Sequence, residues 1–241
     1  MTTLSFAFSQ ARPIPLELSF TLPLGQTLVL FGPSGSGKTT VLRSLAGLYT
    51  PQQGRIDFAA TCWLNTLSGH CLPPQQRTLG MVFQDDALFP HLSVLAHLLL
   101  VLPSHSQRQQ QALALLDTLQ LSHRQAARPA QLSGGERKRL GLARALARVQ
   151  DQPGALLLLD EPFSALDREL KHSLYQVLQQ LRTRDQLTLV LVTHDLHEAF
   201  QLADQMLLIH EGQCLQAGPP DKLRAQPASG KIASWLSMEL P

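Results

Sequence analysis

TLVLFGPSGSGKTT, residues 27–40, decides the fold. Its first five residues read as a buried strand, the next six as a glycine-rich loop, and Lys38 opens a helix running to about Leu48. The spacing G-x-x-x-x-G-K-[ST], placed between a strand and a helix, is that of a phosphate-binding loop. Its glycines let successive backbone N–H groups turn inward as an anion nest, and the helix N-terminus adds partial positive charge. Gly32, Pro33, Ser34, Gly35, Ser36, Gly37, Lys38, Thr39 and Thr40 are therefore the candidate triphosphate-binding residues. Lys38 would reach the outer phosphates and the Thr39 hydroxyl would ligate Mg²⁺.

Working outward, a second apolar strand ends in the carboxylates of ALLLLDEPFSALD, residues 155–167. Ligands bind at the C-terminal edges of strands in α/β sheets, and that edge carries Asp160 and then Glu161. Asp160 is a candidate Mg²⁺ ligand through water, and Glu161 a candidate general base for an attacking water. Pro162 ends the strand.

QLSGGERKRL, residues 131–140, contains a capping box, with Ser133 and Glu136 closing the start of a helix. A cap needs neither Gly134 nor Gly135. Two bare residues at a helix N-terminus invite close approach of an anion, and the γ-phosphate of a nucleotide held by a second copy of the chain fits that description.

The remaining pattern alternates strands with helices at both ends of the chain and is helical from about residue 93 to 148. Strands are expected over 4–8, 16–22, 79–83, 155–160, 187–193, 206–210 and 213–216, and helices over 168–182, 196–203 and from 221. Residues 50–78 read as irregular, with one strand near 55–59. This predicts a parallel α/β sheet with an inserted helical subdomain.

At 44% hydrophobic and 16% charged, the 241 residues can bury a sizeable core. The formal charge of +2 carries no general polyanion signal. The run ERKRLGLARALAR has no interleaved aromatic residue, so it reads as a solvated or subunit-facing helix side rather than a nucleic-acid surface. Cys62, Cys71 and Cys214 form no CxxC pair and read as reduced thiols. The longest apolar runs are far short of the ~20 residues a membrane helix needs, and the N-terminus lacks a signal-peptide layout.

The phosphate loop, LSGGE, LLLLDEP, SALD and VTHD occur in an order that resembles the ATP-binding cassette (ABC) ATPases over residues 16–225. The resemblance implies an α/β P-loop NTPase fold, a mixed sheet with an N-terminal antiparallel part and an inserted α-helical subdomain. Its core would span about 1–85 and 150–225, the helical subdomain about 86–149, and a short helical tail 221–241. No C-terminal regulatory β domain is expected. ATP and Mg²⁺ are the implied cofactors. Two chains would form a head-to-tail homodimer in which Gln131, Ser133, Gly134, Gly135 and Asp167 act on the partner's ATP. Gln84 would touch Mg²⁺ and the attacking water, and His194 would contact the γ-phosphate; the bland alternative for His194 is a satisfied strand-end polar residue, and for Asp167 a helix cap. Asp195 reads as a cap paired with Glu198.

The family stacks an aromatic ring on adenine, and Phe8 is the residue available here, with core packing as its other reading. The resemblance further implies an importer subunit, peripheral on the cytoplasmic face of the inner membrane. Integral membrane permease subunits would be separate chains, and a substrate-binding protein an indirect partner. The segment VFQDDALFPHLSV would contact a permease helix. With WLNTLSGHC upstream, that segment resembles the molybdate-importer ATPases; thiamine, ferric iron, sulfate and polyamine remain alternatives. A soluble ABC protein of DNA repair or translation would carry long coiled coils or two fused cassettes. A GTPase would carry N-K-x-D and no LSGGE.

Overall fold

The computed structural model describes residues 2–164 and 166–237. In chain order, β1 (Thr3–Gln10), β2 (Leu16–Pro23), β3 (Thr27–Phe31), α1 (Lys38–Ala46), β4 (Gln53–Phe58), β5 (Thr61–Asn65) and β6 (His70–Cys71) come first. They are followed by β7 (Leu79–Val82), α2 (Val94–Val101), α3 (Arg108–Thr118), α4 (Gly134–Val149), β8 (Leu156–Asp160) and α5 (Arg168–Asp185). The chain closes with β9 (Thr188–Thr193), α6 (Leu196–Leu202), β10 (Gln205–His210), β11 (Gln213–Gly218), α7 (Pro220–Ala225) and α8 (Gly230–Ser237). These elements form two compact units, one from Met1–Arg77 with Leu187–Pro241, the other from Thr78–Gln186.

In the first unit the strands run in the order β6-β5-β4-β1-β2-β11-β10-β3-β9. β3 pairs in parallel with β9 on one side and β10 on the other, and all three are apolar runs. Every residue of β3 and β9 is buried, as strands covered on both faces require. The outer half is antiparallel: β1 pairs with β2 and with β4. There the pattern alternates, and Leu4, Phe6 and Phe8 of β1 share one buried face. The sheet is mixed and the class is α/β, as the motifs imply.

The segment 50–78 is more regular than its sequence suggests. β4 and β5 form a hairpin, with Phe58 opposite Thr61, and β6 adds an exposed edge. Only Ile56, Phe58, Trp63 and Leu64 of this hairpin are buried apolar residues, so the period-2 signal is short and broken by polar residues.

In the second unit β7 and β8 form a parallel pair, from Leu79↔Leu156 to Val82↔Leu159. α4 lies directly on β7. A Cβ added at Gly80 would stand 2.2 Å from the Ala145 carbonyl oxygen, so only glycine permits this approach. α2 packs on α3 and α4, and the three helices bury Leu98, Leu115, Leu116 and Leu142. Ser93 caps α2 by accepting from the Ala96 N–H at 3.2 Å.

Candidate nucleotide-binding site

Within the first unit, β3 delivers the chain into the phosphate loop and α1 begins at Lys38. The Lys38 ammonium bridges the loop, donating to the Gly32 and Pro33 carbonyls at 2.8 Å each. Gly37 sits at φ 100 with the Leu16 side chain 2.7 Å from where a Cβ would be, so the residue before the lysine must be glycine. Pro33, Ser34 and Gly35 are exposed at the apex, Thr39 is half-buried, and Ser36 and Thr40 are buried. Among the described residues no side chain caps α1 and no carboxylate stands in its first turn. That end of the helix is electropositive and open, which fits a triphosphate.

The loop rests on the end of β10. A Cβ at Gly32 would lie 2.0 Å from the Ile209 carbonyl oxygen. The Gly212 N–H donates to the Ser36 carbonyl at 3.1 Å, while the Gly212 carbonyl accepts from the Glu17 N–H at 2.8 Å. His194 is exposed directly after β9. Beside it, Asp195 caps α6 by accepting from the Glu198 N–H at 3.2 Å. The Glu198 carboxylate does not complete a capping box; it accepts from the buried Thr193 hydroxyl at 2.6 Å.

Phe8 needs a correction. Its side chain is 2% exposed, its ring 5.5 Å from that of Phe6, and both stand on the buried face of β1. A base would find no free ring face there. An exposed apolar side chain beside the loop is that of Ile14, 38% exposed, with Cγ2 3.8 Å from the Gly37 Cβ position. It lies in the turn between β1 and β2, where no aromatic residue marks it.

Within the second unit, β8 presents Asp160, 2% exposed, and then Glu161 at φ 48. A non-glycine residue in the left-handed region is strained, and such strain gathers at functional sites. The Ser164 hydroxyl donates to the Glu161 carbonyl at 3.0 Å and steadies the turn. Asp167 is exposed and caps α5, accepting from the Leu170 N–H at 2.9 Å. Gln84, after β7, is exposed.

The start of α4 is a reciprocal capping box. Glu136 N–H donates to Ser133 Oγ at 3.2 Å, and Ser133 N–H donates to Glu136 Oε2 at 2.7 Å. The Arg124 guanidinium, 2.8 Å from Glu136 Oε1, is a partner the sequence does not advertise. The Ser133 amide first, then Arg124, pull the Glu136 carboxyl down to about 2. Gly134 is exposed, and a Cβ at Gly135 would meet the Leu166 side chain at 3.1 Å, ahead of Asp167. Gln131 is exposed, and its Oε1 accepts from the Arg128 N–H at 2.8 Å.

A family model described as ABC transporter matches residues 16–164, from β2 through the phosphate loop and the α4 cap to the turn after β8. The chain belongs to the ABC transporter family. Among its curated relatives in that family, it is 42% identical over 226 residues to the Fe(3+) ions import ATP-binding protein FbpC of Pseudomonas fluorescens, covering 93% of this chain and 62% of the relative. It is 40% identical over 228 residues to the sulfate/thiosulfate import ATP-binding protein CysA of Yersinia pestis, covering 91% and 60%. CysA 1 of Rhizobium meliloti is 39% identical over 232 residues, covering 93% and 64%. The chain thus spans about three fifths of the length of these ABC relatives.

The basic run on α4 also corrects an expectation. Arg144 is 8% exposed and the Lys138 side chain 12%, so these two are not solvated, whereas the Arg137 side chain is 41% exposed. The partners of Arg144 and Lys138 are backbone carbonyls of the segment after β7, which leave no mark in a sequence, and for Lys138 also the Asp86 carboxylate.

Proposed function

We propose that the chain binds MgATP and hydrolyses it as the ATP-binding subunit of an importer, acting as a homodimer beneath separate permease subunits. The observation that carries this reading is the phosphate loop, with Lys38 spanning it and the uncapped start of α1 behind it. Lys38 and the loop amides would hold the β- and γ-phosphates, and Thr39 and Asp160 would hold Mg²⁺, with Gln84 contributing to both metal and water. When bound, the metal would supply neutralisation of charge on the phosphates. Glu161 takes the proton of the attacking water as oxygen bonds to the γ-phosphorus and the bond to the β–γ bridging oxygen breaks, leaving ADP and inorganic phosphate. His194 steadies the γ-phosphate. Gln131, Ser133, Gly134, Gly135 and Asp167 act in trans, on the ATP of the second copy.

The partner surface is a groove of about 490 Å³ in the second unit, lined by Met81, Phe83, Phe89, Leu100, Val101 and Arg148 among others. Phe89 and Leu100 are 42% and 56% exposed, which suits the apolar side of a permease helix. No helix among the described residues is long and apolar enough to cross a membrane. From the import ATP-binding proteins it is similar to, we infer a location against the cytoplasmic face of the membrane, with a substrate-binding protein as an indirect partner. For the cargo we infer a small inorganic ion. The relatives named above are import ATP-binding proteins for Fe(3+) ions and for sulfate/thiosulfate, and the segment around Gln84 resembles the molybdate-importer ATPases. Uptake of ferric iron, sulfate and molybdate by cells lacking this chain separates the three.

The test of the shared site uses two variants. Ser133→Arg and Lys38→Ala chains should each be silent alone, because both sites of each homodimer carry one defect. Mixed, they form heterodimers with one intact site, and turnover should return. A mixture as silent as its components, while wild type turns over, would refute the site shared between copies.

A further inference from the structure

Asp86 and Ala87, two and three residues past Gln84, stand at φ 57 and φ 46. Two consecutive non-glycine residues in the left-handed region do not hold that shape on their own; surrounding contacts must over-determine it. Those contacts come from α4. The Arg144 guanidinium donates to the Ala87 carbonyl and, at 3.2 Å, to the Asp86 carbonyl. Lys138 donates to the Gln84 carbonyl and lies 3.2 Å from the Asp86 carboxylate, with Arg137 at 3.6 Å. Between these cations Gly141 faces the same segment, its Cβ position 3.9 Å from the Asp86 carbonyl oxygen. Lys138, Gly141 and Arg144 recur every three residues and so share one side of the helix.

The far end of the segment is pinned from α2. The Phe89 N–H donates to Nε2 of His97 at 2.9 Å, and the other ring nitrogen lies 2.7 Å from the Ser93 carbonyl. His97 is fully buried, and a ring that accepts at Nε2 and faces a carbonyl at Nδ1 is the neutral form with its proton on Nδ1. The backbone from Gln84 to Phe89 is therefore held at four points by two helices. Arg144 and His97 are buried polar groups with no part in the proposed hydrolysis.

We propose that Arg144 and Lys138 are positioning residues for Gln84. α4, the helix that begins at Ser133, holds the 84–89 backbone in its left-handed turn and so sets Gln84 at one end and the exposed Phe89 at the other. A guanidinium suits this role because its fork reaches two adjacent carbonyls at once, and its charge is stabilised by both. The inference rests on the reading of Gln84 as the residue that orients the attacking water.

The experiment is steady-state ATP turnover by the purified chain, with Arg144→Met, Arg144→Lys and Glu161→Gln measured beside wild type. Met keeps most of the stem volume and removes the fork. Arg144→Met should lower kcat roughly 10–100-fold with KM for ATP within about twofold, because misplacement of a catalytic group costs turnover rather than ground-state binding. Arg144→Lys, reaching one carbonyl, should recover part of the loss. Hydrogen exchange at the Phe89 amide should quicken in Arg144→Met at temperatures where the chain is folded. Should Arg144→Met fail to fold, Lys138→Met, which loses only the contacts to Gln84 and Asp86, is read by the same kcat-against-KM split. Unchanged kcat in a folded variant, with only the melting temperature lowered, overturns the positioning role. Wild type without turnover, or Glu161→Gln as active as wild type, instead overturns the catalytic reading beneath it.

Discussion

The guanidinium of Arg77 occupies the space that a side chain on Gly47 would need: a Cβ there would stand 2.8 Å from Arg77 Cζ. Arg77 is 1% exposed. It donates to the Ser44 and Leu45 carbonyls at the C-terminal end of α1 at 2.9 and 2.7 Å. It also donates to Leu72 at 2.9 Å and Trp63 at 3.2 Å, with its Cζ 5.5 Å from the Trp63 ring centroid. The last carbonyls of a helix have no partner within it, and a cation there meets the negative end of the helix dipole. The helix that starts in the phosphate loop is thus anchored at its other end by one buried arginine. Burial pulls the guanidinium pKa down, and the carbonyls compensate the lost hydration.

Arg77→Met should destabilise the chain by at least ~3 kcal/mol, since several buried carbonyls lose their donor at about 1–3 kcal/mol each. Gly47→Ala should cost less, about 1–3 kcal/mol, from a side chain forced to φ 76 and a small displacement of the guanidinium that leaves its hydrogen bonds largely in place. Urea unfolding of both variants checks the order. An Arg77→Met chain as stable as wild type would mean that the four carbonyls find other donors.

A second expectation concerns the floor of the phosphate loop. Gly212 is at φ 76, and a Cβ there would fall 1.8 Å from the Pro15 carbonyl oxygen. Gly212→Ala must therefore displace either the Pro15 turn or the β10–β11 turn, and with the latter the N–H that holds Ser36. Affinity for MgATP should fall roughly tenfold or more, through misplacement of the loop amides. Glu211→Ala, one residue away and pointing to solvent, should leave it unchanged. Equilibrium binding of a fluorescent ATP analogue to the two variants decides the matter; equal affinities would detach the turn from the nucleotide.

His97 makes stability depend on pH. Burial above all, with the charges of Arg144 and His91 adding to it, pulls its pKa below the ordinary 6.5, against the opposing pull of the Ser93 carbonyl. The neutral ring is the form that accepts from Phe89. Its contribution is therefore complete above the unfolded value near 6.5 and is lost as pH falls from there through the lowered folded value. Urea midpoints of wild type should drop on acidification below about pH 6.5, faster than those of His97→Gln, whose amide oxygen accepts from Phe89 at every pH. Parallel pH curves for the two chains would remove His97 as the cause.

The phosphate loop, the strand ending at Asp160 and the Ser133 cap were all legible in the sequence, because each is a local pattern whose chemistry lies within about ten residues. What escaped it depends on partners distant in the chain. Arg77, Lys138 and Arg144 act on backbone carbonyls, and no residue type signals a carbonyl waiting for a donor. Phe8 is a different failure. Leu4, Phe6 and Phe8 alternate on one face of β1, and that alternation already assigns Phe8 to the core beside Phe6. The aromatic type, rather than its period, suggested a base-stacking role.

The last prediction separates chemistry from binding at the end of β8. Glu161 stands at φ 48, and the Ser164 hydroxyl donates to its backbone carbonyl, which Glu161→Gln leaves in place while it removes the proposed base. General-base assistance contributes ~10²–10⁴-fold, and ATP hydrolysis should fall by about that factor. Affinity for ATP should hold or rise, because a negative charge near the γ-phosphate is gone while Asp160 still serves the metal. Two chains should then stay closed around unhydrolysed ATP and run as a dimer in gel filtration. Asp160→Asn should differ, since weaker metal binding lowers ATP affinity and turnover together. Measured side by side, the variants assign the two carboxylates. A Glu161→Gln chain hydrolysing ATP within a few-fold of wild type would move the base elsewhere, and His194, exposed after β9, is the next group to substitute.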